Sequence, residues 1–193
     1  MVCDIHIIIQ VFDSVIGEYK FVRESTNTNQ KIQVSEHITF VVYSSESTGK
    51  LILISSHELK DNLVNHSNCE IKDCECQYDF NLEFHVKRDY RLFRKIANVR
   101  SNDESRENIE PRGLPDDACD ILKHIILEHQ DDIPLCKCSD PDNLHSHSYL
   151  SDYEIDELNI EGSQGLLELK QLLNRVRDNF PGLQSRFIIA FDN

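Results

Sequence analysis

The chain has 193 residues, 39% of them hydrophobic and 28% charged, with a formal net charge of −14. That is enough for one sizeable domain, or a domain with an annex, and it excludes a disordered chain. The negative charge repels phosphate and argues against nucleic acid as a whole-molecule partner.

No segment approaches the roughly 20 apolar residues that span a bilayer, so no membrane partner is expected. The first ten residues lack a basic stretch, and Asp4 and His6 interrupt their apolar run. A cleaved signal peptide is therefore not expected. The expectation is an intracellular protein, cytoplasmic or nuclear, whose cysteines stay reduced. Seven cysteines is also an odd number and leaves no complete disulfide set. Both points favour metal binding.

In chain order, residues 3–12 alternate with strand period: Cys3, Ile5, Ile7, Ile9 and Val11 share one face, while Ile8 and Phe12 make the other partly apolar. This pattern predicts a central strand. Residues 18–24 predict a more polar strand, residues 32–34 and 38–43 two further ones, and 51–54 a fifth. Ser55 with Glu58 three residues on has the pattern of a capping box and predicts a short helix over 56–65. Tyr78, Phe80, Leu82, Phe84 and Val86 alternate with polar residues, as a half-buried strand requires.

Residues 87–100 project Leu92, Phe93, Ile96 and Val99 onto one helical arc and Arg88, Arg91, Arg94 and Lys95 onto the opposite one. Residues 101–114 are polar and end in Pro and Gly signals, which predicts a linker. Pro115-Asp116-Asp117 opens a helix reaching about Gln130, with the carboxylates at the positive end of the helix dipole. A second helix is expected from Ser163 to about Phe180, stopped by Pro181-Gly182. Phe187–Phe191 predicts a buried strand returned to the N-terminal sheet.

These elements predict an α+β fold, in which an N-terminal, mainly antiparallel β-sheet of about five strands packs with C-terminal helices. The expected division is a β-rich subdomain (1–100) ending in the basic amphipathic helix, a linker (101–114), and a helical subdomain (115–193) with a Cys/His loop and a C-terminal strand.

The Cys/His loop is the most chemically loaded stretch. Cys136, Cys138, His145 and His147 fall within twelve residues as CxC-x6-HxH. Thiolate and neutral imidazole are the donors Zn²⁺ prefers, and four of them close a tetrahedral structural site. His129, near the end of the preceding helix, is an alternate ligand. Cys74 and Cys76 are alternates too, able to staple the two halves together in a Cys₄ site. Their parity with Tyr78 and Phe80 also fits the buried face of that strand, where reduced cysteine behaves as a small hydrophobe. Catalytic zinc would need an open coordination position and a poised base. The loop lacks the Asp of an HxHxD motif, since Tyr149 stands at that position.

Two further stretches carry function candidates. The basic helix interleaves Tyr90 and Phe93 with its cations, a combination seen in nucleic-acid binding. Its plainer reading is contact with the acidic region 116–161. Within that region Tyr153, Glu154, Ile155, Asp156 and Leu158 alternate acidic and apolar character, as a partner-binding strip can; an edge strand or connector would look the same. Cys119 lies at the edge of an apolar helical arc and reads as core. No GxSxG, phosphate-cradling glycine loop or HExxH is present.

The sequence thus points to a non-enzymatic, zinc-stabilised intracellular interaction module, an adaptor or regulatory inhibitor. It would bind a protein with a basic surface through its acidic one. The alternatives are a nucleic-acid-binding protein using Arg88, Arg91, Arg94 and Lys95, and a metal-dependent hydrolase. Metal analysis of untagged protein should find about one zinc per chain. Cys136→Ser and His147→Ala should each lower both zinc content and melting temperature, and a zinc content near zero with no chelator effect on stability rules the site out.

Overall fold

The computed structural model describes residues 5–26, 29–35, 38–43, 47–59, 82–98, 108–127 and 145–191. In chain order the strands are β1 (Ile5–Asp13), β2 (Glu18–Thr26), β3 (Asn29–Ser35), β4 (Ile38–Tyr43), β5 (Ser47–Ile54) and β6 (Glu83–Val86). Helices α1 (Tyr90–Ala97) and α2 (Asp120–Leu127) follow, then β7 (His145–Ser151), α3 (Asp152–Glu157), α4 (Gln164–Asn179) and β8 (Ser185–Phe191). The expected antiparallel sheet with helices is present. It is a six-stranded sheet in the order β5-β2-β1-β8-β7, with β6 also paired to β1, and β3–β4 form a separate two-stranded pair.

β1 occupies the middle because its sequence can be buried on both faces. One edge pairs with β8 from Ile5↔Phe191 to Val11↔Ser185. The other is divided between β6 (Ile5↔Val86 to Ile8↔Glu83) and β2 (Gln10↔Phe21 to Asp13↔Glu18). Beyond Phe21, β2 continues its pairing with β5. The sheet therefore forks where β6 enters.

Each face has its own core. Ile5, Ile7, Ile9, Val11, Phe187, Ile189 and Phe191 pack with Leu92, Phe93 and Ile96 of α1, Ile155 of α3, and Leu166, Leu169, Leu173 and Val176 of α4. The Phe93 ring meets Phe191 edge-on with centroids 4.7 Å apart. On the opposite face Ile8, Phe21, Ile54, Ile188 and Ala190 pack with Leu59, Leu82, Ala118 and α2 residues Ile121, Leu122 and Ile126.

The helix limits follow from capping. Ser55 and Glu58 form the expected reciprocal bonds, Glu58 accepting from the Ser55 N–H at 2.8 Å and Ser55 Oγ from the Glu58 N–H at 3.1 Å. α1 is shorter than 87–100 because Asp89 caps its start, accepting from the Arg91 N–H, and Asn98 ends it at φ 47°. α2 begins at Asp120 instead of Pro115, whose carbonyl closes a turn with the Ala118 N–H at 2.9 Å. α4 runs from its Ser163 cap to Phe180, as expected. Two stretches differ in kind. Residues 145–151, expected as loop, form β7 against β8, because Tyr149 and Leu150 find buried partners on opposite faces of the sheet. Residues 152–157, with strand-like alternation, form α3, because Ser151 and Glu154 complete a second capping box.

α1 and α4 meet at their N-termini. The Ser163 hydroxyl accepts from the Leu166 N–H at 3.0 Å and bonds the buried Asp89 carboxylate. A Cβ at Gly165 would lie 2.7 Å from the Lys87 carbonyl oxygen and 2.9 Å from Asp89 Cβ, so the helices close only around a glycine. Gly→Ala inside a helix usually gains about 1 kcal/mol. Gly165→Ala should instead lose about 1–3 kcal/mol through overpacking, measurable by urea unfolding; a neutral or stabilising result would contradict the close approach.

Candidate functional site

The sheet ends as three adjacent chain segments at one side: the β1–β2 turn, the 180–184 turn before β8, and the passage from β7 into α3. The register places them together, since Val11 pairs Ser185 and Ser151 pairs Arg186. The Phe12 N–H also donates to the Gln184 carbonyl at 2.9 Å. Six large hydrophobic side chains are exposed among the described residues. Four of them belong to this end: Val15 (90%), Ile16 (51%), Tyr153 (68%) and Leu183 (37%).

Arg186 braces the same end from the α2 side. It is 7% exposed, donates through Nε to Gln10 Oε1 at 2.9 Å and through Nη1 to Asp117 Oδ1 at 2.5 Å, and lies over the Tyr19 ring, 3.6 Å from its centroid. The partner carboxylate and ring offset the cost of burying a guanidinium. Beside it is a pocket of about 350 Å³ whose lining includes Tyr19, Tyr149, Asp152, Tyr153, Ser185 and Arg186. A second cavity, about 310 Å³, is lined in part by β2 and β6, the strands of the fork, and includes the Glu24–Arg175 ion pair.

Arg112 guards the outer edge of β7. Its guanidinium bonds the Tyr149 carbonyl at 3.4 Å and Glu154 Oε1 at 2.5 Å, and sits 5.6 Å from the Tyr149 ring centroid. The Gly113 N–H donates to the His147 carbonyl at 3.0 Å. The guanidinium beside it holds the Glu154 carboxyl down at about 2; burial opposes this, while the Ser151 N–H and hydroxyl assist.

The expected partner strip is divided by α3. Tyr153 is exposed and Asp156 and Glu154 reach solvent, whereas Ile155 and Leu158 are core residues, 0% and 5% exposed. Asp156 pairs with Arg177 Nη2 at 2.7 Å. On the basic helix, Arg91 donates to the carbonyls of Glu161 at 2.8 Å and Gly162 at 2.6 Å. The contact with the acidic segment is thus to backbone oxygens. Arg94 is exposed, and Arg88 and Lys95 are half-buried. Cys119 is half-buried against the second core. His147 is half-buried in β7. Cys136, Cys138, His129, Cys74 and Cys76 lie outside the described residues, and so does the side chain of His145. Among the described residues no group of three or more metal-ligating side chains converges, and no helix is long and apolar enough to cross a membrane.

Sequence reasoning missed Val15, Ile16, Leu183, Arg112 and Arg186. Two apolar residues in the Ser14–Gly17 turn were the available signal, since turns favour polar residues and glycine. No protein-family model matches the chain, and neither a curated protein nor a solved structure matches it.

The Arg112–Glu154 pair is testable through pH. A carboxylate held below its ordinary value of 4.5 contributes fully above that value, and loses the contribution as pH falls through about 2. Both side chains are about one-third exposed (35% and 30%), so screening limits the coupling to about 1 kcal/mol. A double-mutant cycle with Arg112→Ala and Glu154→Gln, read by urea unfolding, should show that coupling at neutral pH and its decline toward pH 2. A pH-independent coupling would rule out the ionic origin.

Proposed function

We propose that this chain is a non-enzymatic protein-interaction module that acts inside the cell as an adaptor or inhibitor, with the Val15/Ile16/Tyr153/Leu183 end of the sheet as its contact face. The observation that carries the reading is the gathering at one end of four of the six large hydrophobics exposed among the described residues, on segments held in fixed register by β1, β8 and β7. Exposed apolar residues scattered singly mean little, but apolar residues grouped inside a polar rim are what protein partners cover. Glu18, Asp116 and Asp117, all exposed, flank this end, and the chain carries −14 overall. The complementary partner is therefore a protein with a basic surface. Zinc held by Cys136, Cys138, His145 and His147 belongs to the proposal as a structural staple, supported by the donor chemistry of that set.

The face is tested by placing a photo-crosslinking residue at Val15, Ile16 or Leu183, with Arg94 as a control position, in the cells that make the protein. One partner should be trapped from the three sheet-end positions and not from Arg94. Ile16→Asp, combined with a crosslinker at Leu183, should abolish the trapping without changing the melting temperature. Equal trapping from Arg94, or none from the sheet end, overturns the reading.

A further inference from the structure

The pocket beside Tyr153 lies within the proposed contact face, and its chemistry is unevenly satisfied. Of its charged groups, Arg186 is neutralised by Asp117 and Glu154 by Arg112. Asp152 is left with the weakest pairing. Its Oδ1 accepts the Tyr153 N–H at 2.9 Å, but its Oδ2 is 3.7 Å from Arg177 Nη2, which sits 2.7 Å from Asp156 instead. The lining also contains Ser185, only 4% exposed, whose Oγ has no hydrogen-bond partner among the described residues. A buried hydroxyl left unmatched is costly and calls for a partner. Two of the three tyrosine rings are already covered, Tyr19 by Arg186 and Tyr149 by Arg112. Tyr153 remains on the rim, 68% exposed.

An under-paired carboxylate, an unmatched buried hydroxyl and an open aromatic ring are what a planar, donor-only cation uses. We propose that this pocket receives an arginine side chain from the partner, its guanidinium on the Asp152 carboxylate and Ser185 Oγ and its plane against Tyr153. Guanidinium fits better than ammonium because it can bond a carboxylate through two parallel N–H groups while stacking on a ring. The chain's charge of −14 draws a basic segment to the pocket. The inference rests on the contact-face reading and names what that face recognises.

The test is a titration of the isotope-labelled full chain with N-acetyl-arginine amide, followed by amide chemical shifts, with the citrulline and lysine amides as parallel arms. Citrulline keeps the shape and removes the charge. The arginine compound should shift the amides of Asp152, Tyr153, Ser185 and Arg186 together, half-saturating at roughly 1–10 mM as a single side chain would. Citrulline amide should bind at least about five-fold more weakly, and lysine amide should fall between them. Asp152→Asn should weaken arginine binding about five-fold and Tyr153→Ala about three-fold, both with unchanged melting temperature. Equal binding of citrulline, shifts that map elsewhere, indifference to Asp152→Asn, or no shifts would each overturn the proposal. Val15 and Leu183 lie outside the pocket lining, so crosslinking there without arginine binding removes this inference alone. Arginine binding without crosslinking removes the contact-face reading.

Discussion

The pairing of β1 with β8 is the constraint on which the rest of the molecule depends. The two strands come from opposite ends of the described chain, and they pair over seven residues. β8 is buried along its whole length and β1 along its first seven positions. A strand pair with both faces inside cannot be left with one face to water. The apolar surface of Ile5, Ile7, Ile9, Phe187, Ile189 and Phe191 needs a helical cover on one side, and that of Ile8, Ile188 and Ala190 needs one on the other. α1, α3 and α4 supply the first, and α2 with the 56–59 helical turn supplies the second. Pairing across this sequence distance carries a large loop-closure entropy. Burial of both faces is the only term here large enough to offset it.

The covering helices are positioned by polar contacts as well as by apolar packing. Asp89 and Ser163 are each a helix cap, and each bonds the other through its side chain. Two sets of unsatisfied N–H groups are thereby tied at one point, and Gly165 lets the helix carrying one of them approach the other. Arg91 then fixes the 161–162 turn by its carbonyls. At the sheet margin, residues 112–113 bond the outer groups of β7. An uncovered edge of this kind invites pairing with another chain, and Arg112 and Gly113 occupy this one.

How far the sequence could be read divides along physical lines. Period and capping are local, so β1, α1, α4 and the Ser55–Glu58 box were legible from residue type and spacing. β7 was not legible, because His145–Ser151 becomes a strand only through Ile188 and Phe187 beside it. For α3 the alternating pattern of 151–161 fitted a partner-binding strip as well as an edge strand or connector, while the Ser151–Glu154 box decided the outcome. The same helix turns Ile155 and Leu158 inward, which is why an acidic-apolar strip read as a surface narrows to Tyr153, Glu154 and Asp156. The sheet-end pocket draws its walls from residues 19, 149, 151–154 and 184–186. No spacing rule links positions that only the sheet register brings together.

Charge favours the proposal of this end, rather than the acidic surface as a whole, as the contact face. Three of the seven acidic side chains between 145 and 191 are firmly engaged: Glu154 with Arg112, Asp156 with Arg177, and Glu168 with Gln164 and the Lys87 N–H. Pairs of this exposure contribute little binding energy to a newcomer, since breaking one contact to form another is nearly neutral. An acidic surface so arranged attracts a basic partner from a distance without discriminating among partners. Discrimination requires apolar area that only a matching surface covers, together with a polar group that only a particular side chain satisfies. On the proposed reading, Val15, Ile16 and Leu183 supply the first, and Asp152 with Ser185 supplies the second. On that reading the long-range field and the local fit reside in different residues, and the second set is small enough to be carried by three turns at the end of one sheet.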